Sequence, residues 1–240
     1  MTKFFYKNYL TVVRYLNDFI SLFYPQVCLA CGRNLYSSEE FICTDCLYTL
    51  PKTYFKDYKN NQVSQLFWGR ASVENVFSHY FFKKGSKLQS VIHNMKYKGQ
   101  KEAGYFLGKL TGLELKMTPF KEADIIVPVP LHYKKQKIRG YNQSEYIARG
   151  IAEKLGKPVN VNILKRAVAT ETQTRKARYE RWQNVEGIFK CENKVNIKNK
   201  HILLVDDIVT TGSTLEACAN EILKTEGTKV SIVTLAFASV

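Results

Sequence analysis

Apolar residues recur at helical spacing in five segments of the chain. Residues 4–23, for example, place apolar side chains three and four positions apart, which is the pattern of one face of an amphipathic helix. We expect that helix to pack on the rest of the protein; a membrane-surface helix is the alternative, which Asp18 and the few basic residues disfavour. The remaining predicted helices lie at about 88–95, 102–113, 143–155 and 215–224.

Short apolar runs rich in β-branched residues predict strands between these helices. Three of them are typical of strands buried on both faces, and they lie at 125–129, 201–205 and 230–237. A fourth segment, 73–82, is predicted as a strand or a hairpin. Strands that alternate with helices predict an α/β fold with a mainly parallel sheet and helices on its faces. Such sheets bind ligands at the carboxyl ends of their strands.

The length and composition predict one medium domain with a small appendage. The chain has 240 residues, of which 45% are hydrophobic, so it can bury a substantial core. We assign residues 1–60 to an N-terminal helix and a cysteine-rich module, with a polar, tyrosine-rich linker at about 51–70. Residues 61–240 form the α/β domain, in which a basic hairpin and helix region, 61–121, precedes a ligand-binding core, 122–240.

Positive charge is concentrated in two parts of the chain. The formal net charge is +15; residues 61–121 carry ten basic against three acidic side chains, and residues 161–200 carry ten against four. A positive surface attracts phosphorylated metabolites or nucleic acids, although lysines also serve solubility alone. No apolar run approaches the roughly 18–20 residues of a spanning helix, and the first residues lack a signal-peptide pattern. We therefore expect a cytoplasmic protein without a stable membrane span.

Four cysteines form two C-x-x-C pairs, at Cys28 and Cys31 and at Cys43 and Cys46. Two such knuckles complete a tetrahedral thiolate site, so we predict structural zinc with no open catalytic position. The alternatives are disulfides, which a reducing compartment disfavours, or unrelated buried thiols. Cys191 and Cys218 stand alone and are expected to be small buried hydrophobes.

A strand, two acids and a small-residue turn follow one another at 201–214. The turn consists of Thr210, Thr211, Gly212, Ser213 and Thr214. Its backbone N–H groups and hydroxyls, together with the N-terminus of the next helix, predict a cradle for a monophosphate. The alternative is an ordinary helix cap, since Ser213 and Glu216 match a capping box.

Asp206 and Asp207 lie just before this turn, separated from it by two apolar residues. Carboxylates bind phosphate poorly but accept hydrogen bonds from sugar hydroxyls and from metal-bound water. The pair beside a phosphate cradle therefore predicts a phosphorylated sugar as ligand. The segment lacks the Gly-Lys-Ser/Thr of a P-loop and the G-x-G-x-x-G of a dinucleotide site.

Residues 206–214 resemble the 5-phosphoribosyl-1-diphosphate (PRPP) loop of type I phosphoribosyltransferases. The resemblance implies that Asp206 and Asp207 are the catalytic-site acids that hold the ribose hydroxyls, while residues 210–214 hold the 5-phosphate. It implies that Mg²⁺ accompanies PRPP, and that the loop after strand 125–129 contacts diphosphate. There, Pro130, His132 and Arg139 are candidates, whereas Asn142 also matches an N-cap pattern with Glu145.

A basic, polar stretch follows at 166–185. In the phosphoribosyltransferase family a flexible loop at this place closes over the diphosphate, which implies a lid here; the alternative is a solvated helix. The candidate diphosphate ligands of this lid are Arg166, Gln173, Arg178 and Arg181.

Several further motifs, in order, resemble the ComF family over most of the chain: MKYKG at 95–99, VPVPLH at 127–132 and RGYNQ at 139–143, besides the cysteine pairs and the PRPP loop. The resemblance implies a type I phosphoribosyltransferase-like fold and a role in natural transformation, handling incoming single-stranded DNA, with competence-machinery proteins as possible partners. The acceptor, and whether group transfer occurs, stay open.

Aromatic and basic residues alternate at 80–101, which is a pattern of single-strand binding. The candidate nucleic-acid contacts are Lys83, Lys84, Lys96, Tyr97 and Lys98. The alternative, which we favour, places these aromatic residues in the core. Two further functions remain open: a non-catalytic DNA-binding module on this scaffold, and a nucleobase-salvage phosphoribosyltransferase.

Overall fold

The computed structural model describes residues 25–166, 188–192 and 194–238. The helix expected at 4–23 and most of the expected lid lie outside these ranges. Packing divides the chain into two compact units between Leu50 and Pro51, about ten residues before the boundary that the sequence suggested. We call them unit one and unit two and describe each by itself.

Unit one is a small module in which short loops converge on the cysteines. Val27 and Asn34 form an antiparallel bridge around the first C-x-x-C pair, and Gly32 closes that loop with φ 79°. The second pair lies at the start of helix α1, Thr44–Thr49. Phe41, just before this pair, has φ 57°, and the chain turns there directly into the helix.

Unit two is built around a four-stranded parallel sheet. Its sheet order is β1-β6-β5-β2, and every pairing in it is parallel, which confirms the predicted fold class. β1 pairs with β6, so segment 73–82 forms a strand and not a hairpin. A separate antiparallel pair joins β3 and β4, on either side of the expected lid. The strands are β1 Val76–Phe81, β2 Ile125–Pro128, β3 Leu164–Arg166, β4 Phe189–Cys191, β5 His201–Val209 and β6 Lys229–Phe237.

Apart from Tyr133–Arg139, which the sequence analysis did not predict, the helices that the structure describes in unit two lie where apolar periodicity predicts them. Glycine allows two of them to pack closely. α3 and α5 approach so tightly that a Cβ on Gly108 would lie 2.3 Å from the carbonyl oxygen of Ile147, and a Cβ on Gly150 would lie 2.2 Å from that of Tyr105. None of the helices in the described ranges is both long and apolar enough to cross a bilayer. The helices of unit two are α2 Lys87–Tyr97, α3 Lys101–Leu115, α4 Tyr133–Arg139, α5 Gln143–Leu155 and α6 Ser213–Leu223.

Residues 51–70 were expected to form a linker, and this expectation was wrong. Phe67 is fully buried in the core cluster with residues of β5, β6 and α6. The Asn61 side chain donates hydrogen bonds to the carbonyl oxygens of Asp57 and Val76, both at 2.9 Å. Tyr58 packs edge-on against Phe77. A polar, tyrosine-rich composition does not distinguish a linker from a segment whose polar groups pair internally.

Candidate functional site

The four cysteines of the two C-x-x-C pairs converge in unit one. Their sulfur atoms all lie within 4.8 Å of one another, and the Sγ atoms of Cys31 and Cys43 are 3.8 Å apart. Zinc–sulfur bonds of about 2.3 Å in a tetrahedron require sulfur separations of about 3.8 Å. The donor set therefore fits one Zn²⁺ ion, with all four positions supplied by protein.

Local hydrogen bonds hold the second cysteine pair in place. The backbone N–H of Cys43 donates to the Sγ of Cys28 at 3.2 Å. The Glu39 carboxylate accepts the N–H groups of Thr44 and Tyr36 at 2.7 and 3.0 Å and contacts Arg33 at 3.3 Å. These N–H groups, chiefly that of Thr44, lower the pKa of Glu39 to about 2.

The two remaining cysteines, Cys191 and Cys218, are buried in unit two, as the sequence predicts.

The small-residue turn lies at the carboxyl edge of the parallel sheet. It joins β5 to α6 around a concave space of about 60 Å³, which is lined by Asp206 and residues 208–215. Gly212 is the N-cap of α6 with φ 78°, and a Cβ there would lie 3.3 Å from the Phe67 ring. The positive φ favours glycine, and a larger residue would also press on the Phe67 ring. Thr210, Thr211 and Thr214 are exposed around it.

Arg70, which sequence reasoning missed, braces this turn from the segment before β1. Its guanidinium donates to the carbonyl oxygen of Thr211 at 3.0 Å and to the Ser213 hydroxyl at 3.4 Å, and it pairs with Glu216. Glu216 is thus engaged by an arginine, and Gly212 caps the helix without a side chain, so the alternative of a Ser213–Glu216 capping box does not hold. No local motif marks Arg70, because its contacts span about 140 positions of sequence.

Asp206 and Asp207 lie next to the turn and have different partners. Asp206 Oδ1 accepts the Ser144 hydroxyl at 2.7 Å and the N–H of Asp207 at 2.8 Å. Asp207 Oδ2 is 2.6 Å from the ammonium of Lys96. Burial, and then the charge of Asp207, raise the pKa of Asp206 to about 7.

Two adjacent carboxylates at a phosphate-sized turn fit a ribose with free hydroxyls, and hard oxygen donors suit Mg²⁺. The residues present therefore fit the cation that the family resemblance implies.

The loop after β2 is anchored to the sheet and to helix α5. Val129 donates its N–H to Val205 O at 2.9 Å, and the Asn142 side chain donates to Val129 O at 2.9 Å while it caps α5 through the N–H of Ser144. Asn142 is thus a cap and an anchor. Pro130 and His132 follow Val129, and both are half-buried.

The cations of this region have partners of their own. Arg139 donates to Gln143 Oε1 at 2.7 Å, and its guanidinium lies 5.1 Å from the centre of the Tyr97 ring. Arg166 ends β3 and lies over the Phe189 ring. Desolvation, and then the positive charge of Arg166, lower the pKa of His132. The other lid candidates, Gln173, Arg178 and Arg181, lie outside the described residues.

The five nucleic-acid candidates differ in their exposure to solvent and in their partners. Lys83 and Lys84 are exposed just beyond the carboxyl end of β1, and Lys98 and Tyr97 are exposed at the end of α2. Lys96 turns instead toward Asp207. Of the aromatic residues in this run, Tyr80 is fully buried and Phe81 packs against the core, so for these two the core alternative is correct, while Phe82 is half-buried.

Comparison with known proteins identifies relatives of this chain. A family model described as phosphoribosyl transferase domain matches residues 141–239. Competence protein F of Haemophilus influenzae is 28% identical over 214 residues, which cover 82% of this chain and 89% of that protein. DNA utilization protein YhgH of Escherichia coli K12 is 30% identical over 149 residues, 60% of this chain and 65% of that protein, which is just under two thirds of its length.

A solved structure of glutamine PRPP amidotransferase from B. subtilis aligns with a TM-score of 0.41 and 21% identity. The alignment covers 56% of this chain and 26% of that one. The family model covers α5, β5, the turn and β6, which are the elements that carry the acids and the phosphate cradle. The comparisons confirm the resemblance that the sequence motifs indicated.

Proposed function

Because the chain is a ComF-family protein with a phosphoribosyltransferase-like fold, we propose that unit two binds PRPP together with Mg²⁺. One observation carries the proposal: β5 holds an acid pair near its carboxyl end, and two residues later the chain enters a turn in which Gly212 caps the next helix. That succession offers acceptors for sugar hydroxyls beside donors for a phosphate. It lies at the carboxyl edge of a parallel sheet, where such ligands bind.

Each part of the ligand has proposed contacts. The residues of the turn, 210–214, hold the 5-phosphate through backbone N–H groups and hydroxyls, with Arg70 keeping the turn in shape. Asp206 and Asp207 accept the ribose hydroxyls. The diphosphate lies toward Pro130, His132 and Arg139, and the basic stretch that begins at Arg166 neutralises its charge. Bound Mg²⁺ would supply further neutralisation of the diphosphate.

If the protein is an enzyme, the reaction is a phosphoribosyl transfer. An acceptor atom forms a bond to C1 of the ribose while the bond to diphosphate breaks, and diphosphate leaves with the electron pair. The ordered carboxylates stabilise the positive charge that develops on the ring. The identity of the acceptor stays open. We assign the role of general base to none of the described residues.

The test is calorimetric titration of the full chain with PRPP and Mg²⁺. We expect the wild type to bind and an Asp206→Asn, Asp207→Asn double variant to lose binding by at least about tenfold, since the sugar loses two carboxyl groups as hydrogen-bond acceptors. The matched control is Asp124→Asn at the opposite edge of the sheet. There an amide oxygen can still accept the His201 N–H, now 2.8 Å from the carboxylate, so binding should persist.

Equal PRPP affinity in the double variant and the wild type would overturn the assignment of the acid pair. Absence of binding in a folded wild type would overturn the proposal for the whole site. The non-catalytic DNA-binding module would then become the leading account.

We further propose that the protein handles single-stranded DNA in natural transformation, acting in the cytoplasm with competence proteins. Support comes from relatives whose names are competence protein F and DNA utilization protein, and from the excess of basic residues at 61–121. Exposed Lys83, Lys84, Lys98 and Tyr97 combine cations with a ring on which a base can stack. A nucleobase-salvage enzyme is the alternative that the PRPP site alone leaves open.

A further inference from the structure

Lys96 belongs to the sugar site and not to the exposed basic surface. It lies in the last turn of α2, and its Nζ is 2.6 Å from Asp207 Oδ2. The side chains of both partners are largely buried, with exposed fractions of 19% for Lys96 and 13% for Asp207. Its neighbours Tyr97 and Lys98 point into solvent, so a single position in this basic run has been turned inward.

Most carboxylate oxygens of the acid pair are already engaged. Asp207 Oδ1 accepts the N–H of Ile208 at 2.7 Å, and its Oδ2 meets Lys96. Asp206 Oδ1 accepts two hydrogen bonds, from Ser144 and from the N–H of Asp207. Within the described residues, Lys96 is the cation that forms an ion pair with either acid.

This arrangement allows a sugar hydroxyl to bind the acid pair but disfavours the binding of a free metal ion. A neutral hydroxyl can donate to a carboxylate oxygen that still keeps its ion pair, because each oxygen has more than one acceptor position. A divalent cation that approaches Asp207 meets the ammonium a few ångströms away, and like charges repel strongly at such distances in a partly buried site. A free cation must therefore expel Lys96 before it can bind.

We propose that Lys96 is a resident counter-ion that keeps free divalent cations off the acid pair, so that metal enters the site only together with the sugar diphosphate. The inference rests on the proposed PRPP site and adds the order in which its components bind. Lys96 acts through Asp207 and is therefore a positioning residue. In the liganded site the negative diphosphate, which travels with the metal, offsets the repulsion between metal and ammonium.

The experiment titrates Mn²⁺ alone into the zinc-loaded full chain and follows free Mn²⁺ by electron paramagnetic resonance. Mn²⁺ prefers oxygen donors, so it does not compete for the cysteine site. We expect no saturable site in the wild type at submillimolar Mn²⁺. Lys96→Met should gain one saturable Mn²⁺ site, with an affinity at least about tenfold above that of the wild type. The double variant Lys96→Met, Asp207→Asn should lose this site again. Lys96→Arg keeps the ion pair and should behave as wild type.

Equal Mn²⁺ affinity in wild type and in a folded Lys96→Met variant, verified by circular dichroism, would overturn the inference. If Lys96→Met does not fold, tight Mn²⁺ binding by the wild type or by Lys96→Arg overturns it as well. The result is separable from the proposed function. A wild type that binds PRPP while Lys96→Met gains no Mn²⁺ site leaves the PRPP proposal standing and overturns the role of Lys96. A gained Mn²⁺ site without PRPP binding refutes the PRPP proposal, and with it the joint entry of metal and sugar diphosphate, but leaves the exclusion of free cations by Lys96 standing.

Discussion

Single side chains in unit two acquire their roles from partners far away in sequence. The carboxylate of Glu114, on α3, lies 3.0 Å from Nε2 of buried His79 and 3.1 Å from the ammonium of Lys52. The close contact with His79 is the main cause that lowers the pKa of Glu114 to about 2. The His79 ring is fully buried and stacked on Tyr80, and burial lowers its own pKa. This cluster ties α3 to β1.

The Glu114 cluster predicts a pH dependence of stability. Because the folded pKa of Glu114 lies below its ordinary value of 4.5, its contribution is fully present above about pH 4.5 and is lost as pH falls through about 2. Glu114→Gln should lower the free energy of unfolding at pH 6 by about 1–3 kcal/mol and flatten its fall between pH 5 and pH 2.5. Urea unfolding at several pH values measures both quantities.

Glu122→Gln is the control for this measurement. Glu122 is exposed, and its nearest ion-pair contact, with Lys121, is long at 4.0 Å. It should leave both the stability and its pH dependence near wild type. If Glu114→Gln shows the same pH profile as Glu122→Gln, the ion pair contributes nothing to acid sensitivity.

At the scale of elements, close packing of α3 on α5 positions the amino end of α5, which carries Asn142 and Ser144 at the sugar site. Glycine at the crossing permits this approach, since a Cβ at Gly108 would overlap the carbonyl group of Ile147. Backbone cannot yield as a flexible side chain can. The helix pair thus connects a small-residue packing pattern to the geometry of the acids.

Gly108→Ala should therefore destabilise unit two by about 2–3 kcal/mol, because relief requires the helices to separate. Gly104→Ala is the matched control on the same helix. Its Cβ would meet the end of the flexible Met95 side chain at 3.2 Å, and the gain in helix propensity offsets part of the cost. Thermal unfolding of the two variants compares them, and equal melting temperatures would contradict the packing argument.

The cysteine knuckles of unit one predict that the purified chain holds one zinc ion. Cys46→Ser should reduce the bound zinc well below one ion per chain, because it removes one of four thiolates. Cys218→Ala changes a buried cysteine outside the cluster and should leave the zinc content unchanged. Metal analysis of the dialysed proteins measures both. A wild type without zinc would refute the proposed metal site.

At the scale of the whole molecule, the net charge of +15 favours association with a polyanion. We expect affinity for a labelled single-stranded oligonucleotide to fall steeply with salt, because binding releases counter-ions. Lys83→Ala with Lys84→Ala should weaken binding and reduce the slope of log affinity against log salt by about 1.4, two phosphate contacts at 0.7 each. Fluorescence anisotropy between about 50 and 300 mM salt, a range around physiological ionic strength, measures the affinity and its salt dependence.

The matched control replaces Lys116 and Lys121 by alanine. These lysines are exposed and belong to the same basic segment, but they precede the amino end of β2, away from the carboxyl edge. Affinity that does not depend on salt would count against a DNA-binding role. An equal loss in both double variants would indicate net charge rather than a defined surface.

The sequence by itself determined what depends on near neighbours in the chain. Apolar periodicity placed the longer helices and the parallel strands of unit two, and short motifs marked the cysteine pairs, the acid pair and the phosphate turn. Each of these is encoded within about a dozen residues, so a linear pattern is sufficient.

Only the tertiary structure decided which distant residues meet at those motifs. It turned Lys96 toward Asp207, set Ser144 against Asp206, brought Arg70 to the phosphate turn and buried the segment at 51–70. A lysine in a basic run looks the same in sequence whether it faces solvent or an acid. The physical reason is that such contacts join residues some 60 to 140 positions apart, and their geometry arises only when sheet and helices pack together.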